Sequence, residues 1–312
     1  MIGLFLGAGF SKWAVGLPLV SELFDFRISP FGVRDDAKLS LVTKLKTDWD
    51  AEYPGSVPEK FIGDALSFPK KHRQAVLWYI VRRLSDPFIC TDSYSRRSRQ
   101  HVLMIDEYRK YKIDGVNKAK SFLGQFGIDL SGIITTNYDL LVEYALGTKG
   151  FNYGIRYERL LGRGAYPVST WNNPVVLKGI IPLAKIHGSI SWDETSYYTD
   201  GRRGITGNAL IVAPTAEKQP PSILEFHWSL SEKILTKSEH LAVFGFAFNQ
   251  YDVSVIDLLK NNGQHIESII LIDIAPNLTA AKALWPKADI HSALPSPDGS
   301  AKINEWIRAR RL

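Results

Sequence analysis

Short apolar runs alternate with helix-compatible segments along most of the chain. Runs of this length are too short for helices that stand alone, and they suit buried parallel strands. The pattern predicts strands at residues 2–6, 131–134, 175–177, 183–186, 210–213, 240–244 and 268–272. Helices are predicted between and after them, at residues 19–26, 140–146, 221–235, 252–261 and 302–311, with another capped by Pro276-Asn277. This alternation implies a Rossmann-like α/β fold, a parallel sheet with helices on both faces and right-handed crossovers.

One long stretch departs from that alternation. Residues 37–50 and the segments FIGDALSF, HRQAVLWYIVRRL, VLMIDEYRKY and AKSFLGQF all read as helices, and no convincing buried strand lies among them. We therefore expect residues 1–29 and 128–312 to form the Rossmann-like core, and residues 30–127 to form a helical insertion or subdomain. Within the core, residues 147–174 read as loops and short strands, and the polar segment 193–208 is expected to be a mobile excursion.

The first strand runs into Gly7-Ala8-Gly9-Phe10-Ser11. Glycines let backbone N–H groups approach an anion closely, and a helix N-terminus adds partial positive charge. A strand, a small-residue turn and a helix together predict a phosphate cradle. On these residues alone, a tight turn with Ser11 capping a helix fits equally well.

Further short motifs follow the other strand-like runs. They are TTNYD at 135–139, IHGS at 186–189 and FGFAFNQYD at 244–252, with Pro214 ending another run. In doubly wound sheets, ligands bind beyond the carboxyl ends of the strands. Motifs at successive strand ends would converge on one crevice, and that convergence is stronger evidence for a site than any one motif.

Composition narrows the class of protein. The chain has 312 residues, 45% hydrophobic and 22% charged, which is typical of a soluble globular protein. A net charge of +6 permits weak affinity for anionic ligands. The basic clusters are scattered and lack interleaved aromatic residues, so a solvated surface explains them better than nucleic-acid binding, with a phosphate-rich ligand or acidic partner second.

The single cysteine, Cys90, excludes an intramolecular disulfide and any zinc site built from several cysteines. It is consistent with a reducing compartment. Residues 1–10 lack the basic region of a signal peptide, and no run approaches the ~20 apolar residues of a membrane-spanning helix. These features lead us to expect a cytoplasmic protein.

Four motifs in order resemble a known family. GAGFSKWAVGLP is similar to the sirtuin opening, TTNYD resembles the sirtuin T-Q-N-x-D segment, IHGS its catalytic His-Gly, and FGFAFNQYD its later glycine turn. Two features differ: Leu19-Val20-Ser21 stands where sirtuin deacylases have Asp-Phe-Arg, and residues 190–208 lack the cysteines of their zinc module. The pattern is closer to the SIR2-like domains of bacterial antiphage defence proteins, which lack that module. The resemblance implies hydrolysis of NAD⁺ to nicotinamide and ADP-ribose, with no metal.

The resemblance implies roles for individual residues, and elementary chemistry agrees with them. Asn137 would hydrogen-bond the nicotinamide ribose or the attacking water, and His187 would act as general base or orient a ribose hydroxyl. Asp139 would position neighbouring donors or the nicotinamide side of the pocket. Gly7, Ala8, Gly9 and Ser11 would bind the pyrophosphate, and Gly245 and Phe246 would lie along the adenosine. Asp273, at the end of the last predicted strand, would be near the adenine ribose. Phe10 and Thr136 complete the predicted cofactor-binding set.

Each of these residues has a structural alternative. Asn137 and Asp139 could cap the helix that follows them, and His187 could be a satisfied polar residue at a strand end. Phe10 and Phe246 could be core residues. Asp252, which begins a predicted helix, is interpreted as a cap rather than a ligand-binding residue.

The leading hypothesis is an NAD⁺ glycohydrolase that acts as an effector of antiphage defence. The alternatives are a regulatory subunit that binds NAD or ADP-ribose without catalysis, and a protein deacylase. Since a constitutive NADase would kill its host, we expect activity to be gated by homo-oligomerisation or by a separate sensor protein. The helical region 30–127 is the candidate assembly surface. We expect no membrane association and no direct binding of nucleic acid.

Overall fold

A parallel sheet of seven strands forms the centre of the protein. The computed structural model describes residues 1–27, 36–85, 92–95, 100–103, 108–147, 150–153, 181–190, 192, 209–213, 224–249 and 251–310. The strands are β1 (Ile2–Leu6), β2 (Asp92–Ser95), β3 (Gln100–Leu103), β4 (Leu130–Thr135), β5 (Phe151–Asn152), β6 (Ile181–Lys185), β7 (Gly188–Ser189), β8 (Leu210–Ile211), β9 (His240–Phe244), β10 (Ser268–Ile272) and β11 (Asp289–Ala293).

Helices surround this sheet. They are α1 (Ala8–Val15), α2 (Val20–Leu23), α3 (Asp36–Glu52), α4 (Pro58–Ala65), α5 (Lys70–Ser85), α6 (Tyr108–Gly124), α7 (Leu141–Leu146), α8 (Glu225–Lys237), α9 (Val253–Asn262), α10 (Leu278–Leu284) and α11 (Pro297–Arg308). A 3₁₀ turn, Gly127–Asp129, leads into β4.

The strand order of the sheet is β11-β10-β9-β1-β4-β6-β5, and every neighbouring pair is parallel. From β1 the chain adds β4 and then β5 and β6 on one side, and it returns to add β9, β10 and β11 on the other. The order therefore reverses between β1 and β9. Such a switch point is where open α/β sheets form a ligand-binding crevice.

The apolar side chains form a core on each face of the sheet. Leu4 and Leu6 of β1 belong to the larger cluster, whereas Phe5 between them belongs to the smaller one. This alternation follows from the two-residue period of a strand. The larger cluster includes Phe61 and Tyr79 of the helical region, so that region packs on the sheet through a shared core. The predicted Rossmann-like fold with helices on both faces is confirmed.

Four local predictions were wrong or incomplete. Helix α1 begins at Ala8, directly inside the glycine segment, where a turn was expected before any helix. Phe10 and Ala14, four residues apart, both face the core, which is the helical pattern that the small residues obscured. The helix ends at Gly16, whose φ of 75° is a left-handed conformation favourable for glycine.

The other differences concern strands. Val102 and Leu103 begin the predicted helix VLMIDEYRKY, but they lie in β3, which pairs with β2 in an antiparallel ribbon. Residues 210–213 were predicted to extend the parallel sheet, but β8 pairs antiparallel with β7 outside it. Strand β11 was missed, and it makes β10 the penultimate rather than the last strand. Short runs give too few periods to separate strand from helix, and an edge strand is only half apolar.

The predicted strand at 175–177 and the predicted excursion at 193–208 lie outside the described residues. None of the helices in the described ranges is long and apolar enough to cross a membrane.

Candidate active site

The predicted site residues lie at the carboxyl edge of the sheet, around the switch point between β1 and β9. Leu6 pairs with Thr135 of β4 on one side and with Phe244 of β9 on the other. The segments that follow these three strands therefore begin at the same level. The motifs GAGFS, TTNYD and FGFAF meet there because parallel strands end at a common edge.

The two glycine turns at the switch point are in direct contact. The N–H of Gly9 donates a hydrogen bond to the carbonyl of Gly245 at 3.0 Å. A Cβ atom on Gly7 would lie 2.4 Å from the Gly245 oxygen, and one on Gly9 would lie 2.6 Å from the Gly245 Cα. Gly245 itself has a φ of 65°. These glycines are needed first of all because the two backbones approach each other so closely.

The same contacts change the expected phosphate cradle. Three of its N–H groups already donate hydrogen bonds within the protein. The N–H of Gly7 donates to the Phe244 carbonyl, that of Gly9 to the Gly245 carbonyl and that of Phe10 to the Gly7 carbonyl. The N–H of Ala8, the first residue of α1, takes no part in these bonds. The groups through which this turn could bind an anion are thus the Ala8 N–H and the partial positive charge of the helix N-terminus, because the Ser11 hydroxyl bonds Asp139 and Asn137.

Asn137 joins the segment after β4 to the glycine turn. Its Nδ2 donates to the Gly7 carbonyl at 2.9 Å and to the Ser11 Oγ at 3.0 Å. The residue is buried, and its own N–H donates to the Thr135 hydroxyl at 3.0 Å. Both amide donors are therefore occupied, and the Oδ1 makes no hydrogen bond within the described residues. That oxygen is the part of Asn137 that can accept a bond from a ligand.

Asp139 lies behind Asn137 and is buried. Burial raises the pKa of its carboxyl group, against the opposing effects of Lys185, the N–H of Leu141 and a hydrogen bond from Ser11. Its Oδ1 accepts the Leu141 N–H at 2.9 Å. Asp139 thus supports the start of α7 and fixes Ser11. Both contacts hold neighbouring groups in place.

His187 follows β6 at the same edge and is buried. Burial lowers the pKa of its imidazole to about 4, so the ring is neutral at physiological pH. Its ring lies 6.3 Å from the ring of Tyr138, centroid to centroid. The next residue, Gly188, has a φ of 86° and is the first residue of β7. A neutral imidazole in this position can accept a proton or a hydrogen bond from a hydroxyl group.

Asp252 corrects the interpretation made from the sequence. It occupies the N-cap position of α9, but its side chain makes no capping hydrogen bond. Instead its Oδ1 lies 3.9 Å from the Nε2 of His187. Burial, together with the negative charge of Glu59, raises the pKa of the Asp252 carboxyl to about 7. Aspartate is a residue type that often caps helices, but the local fold directs this side chain into the site.

A buried ion pair lies beneath the segment 135–139. The Nζ of Lys185 is 2.8 Å from the Oε1 of Glu143, and it also donates to the backbone carbonyl of Asp139. Tyr153 donates its hydroxyl to the same Glu143 oxygen at 2.8 Å. Both charged side chains are almost inaccessible, at 1% and 2% exposure. The pair therefore anchors the backbone that carries Asn137 and Asp139.

The remaining predicted residues differ in their exposure. Phe10 is fully buried, and its ring contacts those of Phe244 and Phe122 at centroid distances of 5.3 and 5.7 Å, so its side chain belongs to the core. Phe246 is 8% exposed and packs edge-on against Phe5 at 4.9 Å. These contacts support the core alternative for Phe10 in particular.

Thr136 and Asp273 are both partly exposed at the carboxyl edge. The N–H of Thr136 donates to the Leu6 carbonyl at 3.2 Å. The Oδ1 of Asp273 accepts the N–H of Ala275 at 3.0 Å, at the end of β10. Their cofactor-binding roles stay predictions.

Sequence reasoning missed several residues of the site. Lys185, Glu143 and Glu59 were not singled out, and Tyr138 was seen only as part of its motif. A lysine inside the apolar run IPLAKIH was a usable signal, because an unpaired charge is rarely buried in a strand. Nothing in the sequence pointed to Glu59, which is 193 positions before Asp252 in the chain. Among the described residues, no group of three or more His, Cys, Asp or Glu side chains is arranged to hold a metal ion.

A family-model match agrees with the resemblance seen in the motifs. Residues 131–284 match the model of the SIR2-like domain family, a span that contains TTNYD, IHGS and FGFAFNQYD. Among solved structures, a mutant Sir2 homologue in complex with 2′-O-acetyl ADP-ribose is similar over 99% of this chain and 92% of its own, with 16% identity and a TM-score of 0.46. A second Sir2 structure, concerned with the mechanism and regulation of these enzymes, has the same coverage, 15% identity and a TM-score of 0.43. No curated protein matches the chain.

Proposed function

We propose that this protein, which is SIR2-like over residues 131–284, is an NAD⁺ glycohydrolase. It would cleave the bond between nicotinamide and ribose and release nicotinamide and ADP-ribose. The resemblance to the SIR2-like domains of antiphage defence proteins supports a role as a defence effector that depletes NAD⁺ once activated.

The observation that carries the proposal is the direct contact between two motifs far apart in the chain. Asn137 donates to both ends of the Gly7–Ser11 turn, and the two bonds span 130 and 126 positions of sequence. A core that needed only a helix cap would not require both amide donors to hold a glycine turn. This arrangement sets the Asn137 Oδ1 next to the N-terminus of α1. A dinucleotide needs both groups, one for a ribose hydroxyl and one for a phosphate.

Cleavage of the glycosidic bond develops positive charge on the ribose as neutral nicotinamide leaves with the bonding electron pair. The Asn137 Oδ1 would accept a hydrogen bond from a ribose hydroxyl or from the attacking water. His187, neutral at physiological pH, would take the proton that the water or hydroxyl gives up. Both side chains are buried, which keeps bulk water from the reacting centre.

The proposal is tested by following nicotinamide release from NAD⁺ by chromatography. The parent protein should release nicotinamide, and Asn137→Ala and His187→Ala should each lower the rate by about 10²- to 10⁴-fold. Asn261→Ala and His265→Ala are matched controls and should leave the rate unchanged. Both residues are exposed and lie away from the site, Asn261 near the C-terminal end of α9 and His265 before the start of β10. Equal rates in the parent and the two site variants would contradict the assignment.

Calorimetry with NAD⁺ separates the alternatives if no nicotinamide is released. Tight binding without turnover would leave two candidates, a regulatory subunit that binds NAD or ADP-ribose and an enzyme that awaits its activator. Release that requires an acylated peptide would favour a deacylase. Absence of both binding and turnover would count against the nucleotide site itself.

We further propose that activity is gated, by homo-oligomerisation or by a sensor protein that binds the helical region 30–127. The rate of NAD⁺ loss per molecule should then rise with protein concentration or on addition of the activating partner. Light scattering recorded on the same samples gives the oligomeric state. Full activity of a monomer without any partner would contradict this proposal.

A further inference from the structure

The carboxyl group of Asp252 is unusual for a residue at the start of a helix. Its Oδ1 is buried and has no hydrogen-bond partner among the described residues. A buried oxygen without a partner costs about 1–3 kcal/mol, so most folds avoid one. The Nε2 of the buried His187 imidazole lies 3.9 Å from this oxygen. Asp252 therefore destabilises the fold without serving as a cap, which suggests another role.

We propose that Asp252 is the positioning residue of His187, so that it fixes the imidazole and stabilises its protonated form during NAD⁺ cleavage. This inference rests on the proposed glycohydrolase function and adds a residue to it. The distance of 3.9 Å exceeds that of a hydrogen bond by about 1 Å. Catalytic hydrogen bonds are often long without substrate and shorten when it binds.

The proton transfers are balanced as follows. His187 begins neutral, with its proton on Nε2 toward Asp252 and its lone pair on Nδ1, which forms no hydrogen bond within the described residues. The attacking water bonds to the ribose carbon, nicotinamide leaves with the electrons of the broken bond, and Nδ1 accepts the water proton. The imidazolium then donates its Nε2 proton in a hydrogen bond to the Asp252 carboxylate. No oxidant, reductant or metal takes part in these steps.

The charge state of Asp252 gives this arrangement a pH dependence. With a pKa of about 7, its carboxyl ionises as the pH rises through neutrality, whereas His187, with a pKa of about 4, is already neutral. Around Asp252, the described titratable groups are His187, whose Nε2 is 3.9 Å away, and the Tyr138 phenol and Glu59 carboxylate, which interact with its charge. Only ionised Asp252 stabilises the imidazolium. The rate should therefore rise with pH through about 7.

Glu59 links this pair to the helical region. It lies in the first turn of α4 and is half-buried, and its Oε1 accepts a hydrogen bond from the Nδ2 of Asn249 at 3.4 Å. Its negative charge raises the pKa of Asp252. Moving α4 away from the site would remove this charge, and Asp252 would ionise at lower pH. A partner or second copy that shifts α4 could thus increase the ionised fraction of Asp252.

The first experiment measures NAD⁺ turnover by the full-length protein from about pH 5 to pH 9. The parent rate should rise through pH 7. Asp252→Asn should be about 100-fold slower and should lose that rise, and Asp252→Glu should recover part of both. Glu59→Gln should shift the rise to lower pH. Asp257→Asn, an exposed carboxyl on the same helix, is the matched control and should resemble the parent.

A second experiment does not depend on turnover. Nuclear magnetic resonance can follow the titration of the Asp252 carboxyl carbon and of the His187 ring. Glu59→Gln should lower the pKa of Asp252, and His187→Phe should raise it, because the ionised carboxylate loses the imidazole beside it. If the protein does not cleave NAD⁺, alone or with its activator, but these shifts appear, the glycohydrolase proposal fails and the pairing stands. If the protein cleaves NAD⁺ but Asp252→Asn keeps the parent rate and pH profile, or if His187→Phe leaves the pKa of Asp252 unchanged, the pairing is overturned.

Thermal unfolding controls for loss of fold in these variants. Burial raises the pKa of Asp252 in the folded protein above its value in the unfolded chain. As the pH rises from about 4 to about 7, the unfolded chain therefore releases this proton first, and the free energy of unfolding falls. Asp252→Asn removes that loss, so it should melt at a higher temperature than the parent at about pH 8. A lower melting temperature there would identify Asp252 as a structural residue and overturn the proposal.

Discussion

Replacing Lys185 with methionine is expected to lower the free energy of unfolding by about 3–5 kcal/mol. Methionine keeps most of the volume but removes the charge, which leaves Glu143 as an uncompensated carboxylate at 2% exposure. The Oε2 of Glu143 already lacks a hydrogen-bond partner among the described residues, so little else can compensate. The bond from Nζ to the Asp139 carbonyl is also lost. Chemical denaturation monitored by circular dichroism measures the change.

A second variant separates the charge from the packing. The double substitution of Lys185→Met with Glu143→Leu removes both ions, and buried pairs replaced by apolar residues are often tolerated. It should recover most of the lost stability, although Tyr153 would lose its acceptor. Lys60→Met, which breaks an exposed pair with Asp64, should cost less than about 1 kcal/mol. Equal stability of the parent and Lys185→Met would show that the buried pair does not anchor the segment 135–139.

Gly245→Ala is expected to cost about 4 kcal/mol or more, and to abolish any activity of the site. The new Cβ would lie 2.4 Å from the Phe10 nitrogen and 2.5 Å from the Gly9 Cα, and these are backbone atoms that cannot turn aside. The two glycine turns would have to separate. That movement would break the bond from Gly9 to Gly245 and displace the N-terminus of α1. Thermal unfolding and NAD⁺ binding by calorimetry report the two effects.

Gly55→Ala provides the matched comparison. Gly55 has nearly the same left-handed backbone, with a φ of 75°, but no atom lies within 4 Å of its added Cβ. Its cost should therefore be the conformational penalty alone, about 1–2 kcal/mol. The difference between the two variants measures how much the contact of the turns contributes. If Gly245→Ala cost no more than Gly55→Ala, the close contact would not be a requirement of the fold.

The parallel sheet was predictable because its central strands carry continuous apolar runs. Strands β1, β4, β9 and β10 are buried in every residue or in all but the first, and each was located within a residue of its observed bounds. The helix from Asp36 to Glu52 was found as well. Strand β11 could not be identified in the same way. It is an edge strand with exposed and half-buried positions, so its sequence lacks the apolar run.

The site was predictable as a location but not as a set of contacts. Asn137 and His187 follow apolar runs, and strand ends in a parallel sheet share one edge. The roles of Phe10 and Asp252 were not accessible in this way. A phenylalanine beside a glycine turn can line a ligand or fill the core, and an aspartate that begins a helix can cap it or turn away. Each choice depends on what packs against the residue from other parts of the chain.

The sequence by itself determined the α/β class, the edge at which the motifs meet and the resemblance to SIR2-like domains, because these follow from local apolar periodicity and from short motifs. Only the tertiary structure decided that Asn137 ties down the glycine turn, that Lys185 and Glu143 form a buried pair, and that Asp252 faces His187 with Glu59 nearby. The physical reason is distance along the chain. Local propensity decides where a strand or helix forms, whereas partners distant in the chain, from 42 positions for Lys185 and Glu143 to 193 for Glu59 and Asp252, set the direction and charge of a side chain.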